Sequence, residues 1–166
     1  MTNVLAILAI ILSTAASLFL LNGFVKSKLK TKLSENENPK SISYFKAILF
    51  LGLGLLLSEL IHTFQTLIKI LPSQLAGNSL VLKEISFYCA FFGVTLLVFV
   101  VLFWLSTLLF SLFNKGESIF VEVANNNLNS VILFSGIMLA FVFAVKTGLT
   151  PLLDEFIPYP EMPLYR

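Results

Sequence analysis

Charge is what this chain has least of. Its 166 residues include 11 basic and 9 acidic side chains, 12% charged in all, where a soluble domain carries about 25%. The net charge of +2 is too small to hold a polyanion, which argues against nucleic acid as a partner. There is one cysteine, Cys89, so no internal disulfide can form. Set within "SFYCAFFG", it reads as a small buried hydrophobe. The lone histidine is His62, and no cluster of residues has metal-ligand spacing. No Gly-rich phosphate loop is present. Nor is there a credible nucleophile with its base or a pair of catalytic carboxylates. The chain therefore reads as non-enzymatic, with no cofactor and no metal.

What it has instead is hydrocarbon. Hydrophobic residues make up 57% of the chain, 17 of them Phe. Lipid tolerates such side chains on an outer face, where water penalises them. A spanning helix needs about 20 mostly apolar residues, and four runs qualify: Val4–Val25, Tyr44–Ile70, Ile85–Phe113 and Leu128–Leu149. The second and third exceed what a bilayer requires and are expected to tilt or protrude. Pro72, Gly77 and Asn78 break the chain after the second run. Asn114, Lys115 and Gly116 break it after the third, and Gly148 and Pro151 are expected to close the fourth. "MTN" carries no positive charge, and the apolar run behind it is longer than a signal peptide's, so the first run reads as a retained helix. The expected fold is thus an all-α membrane protein with four transmembrane helices.

Orientation follows the lysines. Lys26, Lys28, Lys30, Lys32, Lys40, Lys46 and Lys115 fall at one end of the four runs; Lys69, Lys83, Lys146 and Arg166 fall at the other. Positive residues in short loops stay in the cytoplasm. That predicts a cytoplasmic loop over 26–44 and both termini outside. The loop can also lie on anionic headgroups, at about 1 kcal/mol per Lys.

Sliding the chain by 84 residues lays "AILFLGLGLLL" (Ala47–Leu57) on "VILFSGIMLAF" (Val131–Phe141). Ile48, Leu49, Phe50 and Gly52 fall on Ile132, Leu133, Phe134 and Gly136. The reading is a duplication: two tandem, parallel two-helix repeats over 1–80 and 81–150, followed by an apolar, Pro-rich tail over 151–166. Gly52, Gly54, Ser135, Gly136 and Ala140 form small surfaces that let helix backbones approach, within one chain or between copies.

The stretch "VEVANNNLNSVILFSGIMLAFVFAV" resembles the YjfL-like family of small bacterial inner-membrane proteins. Glu122, Asn125, Asn126, Asn127, Ser130, Phe134, Ser135 and Gly136 carry the likeness. The first half shares the layout and the "ILF-x-G" segment but has "ENENPKSISYFK" where the Asn motif would stand. The resemblance implies tandem two-helix units and a multi-pass protein of the bacterial inner (cytoplasmic) membrane; it implies no established reaction. Independently of it, Asn125, Asn126, Asn127 and Asn129 stand with Ser130 at the mouth of the fourth run. One Asn there caps a helix. The others are expected to bond to neighbouring helix ends or to hold an anion or lipid headgroup.

The most polar part of the spans is "LLSELIHTFQTLIK". Glu59 and His62 share a helix face, Ser58 adjoins Glu59, and Gln65 continues the stripe. Glu59 lies about 22 Å along its helix from Tyr44, toward the outer interface. A carboxylate at membrane depth requires a partner, water or a proton. Two readings stand: a proton-responsive or cation-binding pair with His62, or a structural contact. Lys69 and Lys146 are placed to snorkel; Lys146 also shares Glu59's depth and could neutralise it. Phe156, Pro158, Tyr159, Pro160 and Tyr165 make the tail a docking element, expected on the outer surface or against protein.

Two functions remain open at this level. The first is a self-associating structural or accessory component of an envelope complex, a homo-oligomer in the bilayer with a protein partner at its tail. The alternative is an oligomeric small channel, carrier or proton-responsive sensor using Glu59 and His62. The topology is directly testable: a reporter active only outside the cytoplasm, fused after Arg166, is expected to be active, and a cytoplasm-only reporter there silent.

Overall fold

The computed structural model describes residues 2–30, 40–73 and 77–158. Those residues form four long helices, each long and apolar enough to cross a membrane, so the chain is a multi-pass membrane protein. They are α1 (Thr2–Lys30), α2 (Lys40–Ile70), α3 (Asn78–Phe113) and α5 (Leu128–Asp154). A short α4 (Ile119–Ala124) and one 3-10 turn (Leu71–Ser73) complete them. At 1.5 Å per residue the 36 residues of α3 extend about 54 Å, beyond the ~30 Å hydrocarbon core.

The helices outrun their apolar runs. Residues 26–30 and 40–44, expected as loop, are helical, and α3 starts seven residues before Ile85. Polar residues such as Lys, Ser and Glu are adequate helix formers once the adjoining span is nucleated. Likewise Pro151 does not close α5, which continues through it to Asp154. Proline costs the bond its missing N–H would make one turn back, and here that falls within the last two turns. The turn before α3 requires its glycine: Gly77 adopts φ +66°, ψ −144°, which side chains with a Cβ rarely reach.

A hydroxyl in lipid favours a partner, and several here find it in their own helix, although the buried Thr63 hydroxyl has none among the described residues. Thr14 donates to the Ile10 carbonyl, Ser17 to Ser13, Thr95 to Phe91, Ser106 to Leu102 and Ser135 to Val131, each one turn back.

Helices α2 and α3 run antiparallel, as do α3 and α5, Phe64 meeting Tyr88 and Phe110 meeting Phe134, so α2 and α5 run parallel. Ser41 at the start of α2 meets Asn126 just before α5, while Glu59 late in α2 meets Lys146 and Thr150 late in α5. The start of α2, the α3–α5 connection and α4 therefore share one end of the bundle. Helix α2 is the hub, touching α1, α3, α4 and α5. Within their apolar stretches, 44% of α2 residues are buried but only 6% in α1, which marks α1 as peripheral. Buried residues of α3 (Phe91, Thr95, Phe99, Leu102, Ser106, Phe110) recur at intervals of three and four, the stripe of a helix packed along one side.

Phenylalanines join the elements. Phe134 of α5 lies 5.3 Å from Phe45 of α2, and 6.1 and 6.2 Å from Phe103 and Phe110 of α3, centroid to centroid. Phe120 of α4 meets Phe45 and Phe103 edge to face, and Phe24 of α1 meets Phe103. Phe45, Phe110 and Phe134 have no exposed surface. Phe134→Ala is expected to cost about 3–5 kcal/mol by opening a cavity. Phe134→Leu should cost less, losing chiefly about 1 kcal/mol of ring geometry. Reversible unfolding in mixed detergent micelles measures both.

Candidate functional site

Among the described residues two clusters built on a carboxylate stand out, one near each end of the bundle.

At the loop end the asparagines have separate tasks. Asn125 is the C-cap of α4. Asn126 follows in the left-handed conformation, φ 56°, which Asn tolerates better than most residues. The chain then closes as a Schellman motif: the Asn126 N–H donates to the Val123 carbonyl (3.2 Å) and the Asn127 N–H to that of Glu122 (3.0 Å). Asn127 is also the N-cap of α5, its Oδ1 accepting from the Ser130 N–H. Its amide donates to Glu122, whose same oxygen accepts from the Ser130 hydroxyl at 2.7 Å. A carboxylate is thereby held beside the positive end of α5, where its charge is stabilising.

Asn126 reaches further. Its Oδ1 accepts the Ser41 N–H at 3.2 Å, capping the first turn of α2 from 85 residues away. The buried Ser41 hydroxyl returns a bond to the Val123 carbonyl at 2.6 Å. Three consecutive residues thus finish one helix, start the next and cap a third. Asn129 and Asn125 present exposed side chains. The short helix α4 and its partner Ser41 were not recognised in the sequence. The usable signal was Glu122 placed before the asparagines and eight residues ahead of Ser130.

At the far end, Glu59 accepts a 2.8 Å hydrogen bond from the Thr150 hydroxyl and pairs with the Lys146 ammonium at 3.2 Å. Both charged side chains are largely shielded by the bundle. Of the partners weighed for Glu59, Lys146 is the one that takes it. His62 shares the helix face but is exposed, as are Ser58 and Gln65, and the Ser58 hydroxyl bonds its own helix at Leu55. Thr150 was missed because "KTGLT" reads as the end of an apolar run, not as a hydroxyl one turn beyond Lys146. Cys89, expected to be buried, is exposed on the outer face of α3.

The small residues divide. A Cβ on Gly52 would touch Val142, Met138 and Phe99 at 3.5–3.8 Å, so Gly52 lies where α2, α3 and α5 converge. Gly54 and Gly136 face open space. Gly136 and Ala140 instead floor a shallow groove of about 530 Å³ between α3 and α5, with Leu109 and Ile132 on its walls. Beyond α5, Phe156 is exposed, Ile157 is buried and Pro158 half-buried. Tyr159, Pro160 and Tyr165 lie outside the described residues.

Comparison with protein families, curated proteins and solved structures finds no match to this chain.

The double role of Asn126 sets a testable order. Asn126→Ala removes the α2 cap and strains the left-handed residue, for an expected loss of about 2 kcal/mol. Asn126→Gly removes only the cap and should lose no more than about 1 kcal/mol. Equilibrium unfolding in detergent separates the two.

Proposed function

We propose that this chain is a self-associating structural or accessory component of a bacterial inner-membrane assembly and catalyses no reaction itself. It is built from two tandem two-helix repeats with both termini outside. The observation that carries this reading is the outward face of α5. Gly136 and Ala140 are exposed four residues apart, on a groove that the chain's own side chains leave open. Small residues at that spacing let a second helix approach closely, and in lipid such packing is what drives association.

The polar sites support the same reading. Glu59 is engaged by Lys146 and Thr150, and Glu122 by Asn127 and Ser130; each carboxylate is used to hold helices. His62 stands apart from Glu59's partners, which argues against a proton-responsive pair and for a structural carboxylate. The exposed Phe156 provides a surface for an envelope partner.

The groove allows a clean experiment. A Cβ added at Gly136 meets nothing within 4 Å in its own chain, and the groove beside it is open. Gly136→Leu is therefore expected to leave unfolding within about 0.5 kcal/mol of the parent. The same change should weaken self-association in bilayers roughly tenfold, read by energy transfer between labelled copies. Unchanged energy transfer would remove this face from the assembly.

A further inference from the structure

One face of α2 takes no part in the core. Tyr44, Ile48, Leu51 and Leu55 follow one another at alternating steps of four and three residues. Ser58, His62, Gln65 and Lys69 continue the same rhythm. A repeat of 3.5 residues traces one seam along a helix, the seam that two helices share when they coil about each other. None of the eight residues is buried; six are exposed and two half-buried. The seam runs beside α5. Tyr44, Ile48 and Leu51 border an open groove of about 460 Å³, with Leu128, Ile132 and Ser135 of α5 on its other side. Among the described residues its lining comes from these two helices alone, so α1 and α3 leave this face uncovered.

The seam changes character along its length. Its first half is hydrocarbon with one phenol, which suits lipid. Its second half is polar. Ser58 and His62 stand about 21 and 27 Å along the helix from Tyr44, within the ~30 Å hydrocarbon core counted from that residue, and Gln65 stands at its edge. Acyl chains offer these side chains no hydrogen bond. The Ser58 hydroxyl donates to the Leu55 carbonyl, and its oxygen keeps a lone pair to accept with. The His62 and Gln65 side chains have no hydrogen-bond partner among the described residues. A neutral imidazole donates at one nitrogen and accepts at the other, and a Gln amide does both. A face that gives and takes in this way is complementary to itself. The nearby carboxylate of Glu59 is turned aside to Lys146 and Thr150, so it is not set against its own likeness. Lys69, at the end of the seam, has a side chain long enough to reach water.

We propose that this face of α2 binds a second copy of the chain about a two-fold axis along the membrane normal, with Ser58, His62 and Gln65 hydrogen-bonding across the axis. Two copies inserted with the same topology can be paired only by such an axis. It sets the two α2 helices parallel and brings each residue level with its own counterpart. The polar half then meets the polar half, and Leu51 and Leu55 pack against the same residues of the partner. Hydrogen bonds of this kind between helices hold membrane assemblies together where hydrocarbon packing has no solvent to drive it. The proposal rests on the reading of the chain as self-associating. It names a contact on α2, apart from the Gly136 face of α5.

The test uses the full chain in bilayers, in a Cys89→Ser background so that every thiol is an introduced one. Leu51→Cys and Ser58→Cys are each expected to form a disulfide between copies on mild oxidation. Leu97→Cys, exposed on α3, should stay a free thiol. His62→Ala with Gln65→Ala removes two exposed side chains, so the fold should stand. The same pair of changes should raise the Kd for self-association roughly tenfold, read by energy transfer between labelled copies. Cross-linking at Leu97→Cys but at neither α2 position would overturn the proposal. So would a His62 and Gln65 double variant that associates as tightly as the parent. If Gly136→Leu then abolishes the energy transfer, self-association stands and only the α2 face falls. A parent without energy transfer would overturn both readings. A Ser58→Cys adduct to a protein of different mass, formed in native membranes, would assign the seam to another partner and overturn the second copy.

Discussion

The packing of Phe134 against Phe45, Phe103 and Phe110 is the contact on which the rest of the bundle depends. In water, apolar helices are pressed together by the solvent. In lipid that pressure is absent, because acyl chains suit a leucine as well as another leucine does. What remains is shape and the electrostatics of the ring, whose edge is attracted to a neighbour's face. Phe120 and Phe24 extend the cluster to α4 and α1, so all five helices meet at rings near one end.

Polar groups supply direction where rings cannot. Apolar packing tolerates a helix sliding or turning by a fraction of a residue; a hydrogen bond at 2.8 Å does not. Glu59, Lys146 and Thr150 fix the register of α2 against α5 at one end, and Ser41, Val123 and Asn126 fix it at the other. Gly52 allows the close approach between these two anchors. The α2–α5 pair is thus pinned twice and drawn close in the middle. Helix α1, with only 6% of its apolar stretch buried, is the most peripheral of the four long helices.

The spans were legible because an uninterrupted apolar run of about 20 residues suits a bilayer and little else. The asparagines were legible as a cap for the same kind of reason: few residues satisfy the open N–H groups of a helix start. What escaped was everything decided across the chain. That Asn126 caps α2 requires α4 to carry the loop to Ser41, and six residues of "IFVEVA" carry too little periodicity to announce a helix. Glu59 offered two candidate partners, His62 along the helix and Lys146 at equal depth. Only the azimuth of α5 about its axis decides between them, and apolar composition leaves that angle undetermined. The equivalence of Gly52 and Gly136 in the 84-residue shift shows the same limit. One is packed among three helices and the other faces outward, so a shared residue does not fix a shared environment.

The bond from Ser41 to Asn126 spans 85 residues, and a membrane chain is made from its N-terminus onward. When α2 enters the bilayer, the residue that completes its first turn has not yet been translated. The start of α2 must be served by water or headgroups until α3 has crossed and the α4–α5 turn has formed. Only then does its final partner arrive, together with Phe134 and Lys146. Maturation of this bundle is therefore an event of the last span rather than a gradual accumulation. A chain stopped before Asn126 would hold three long helices and a hub whose first turn lacks its cap.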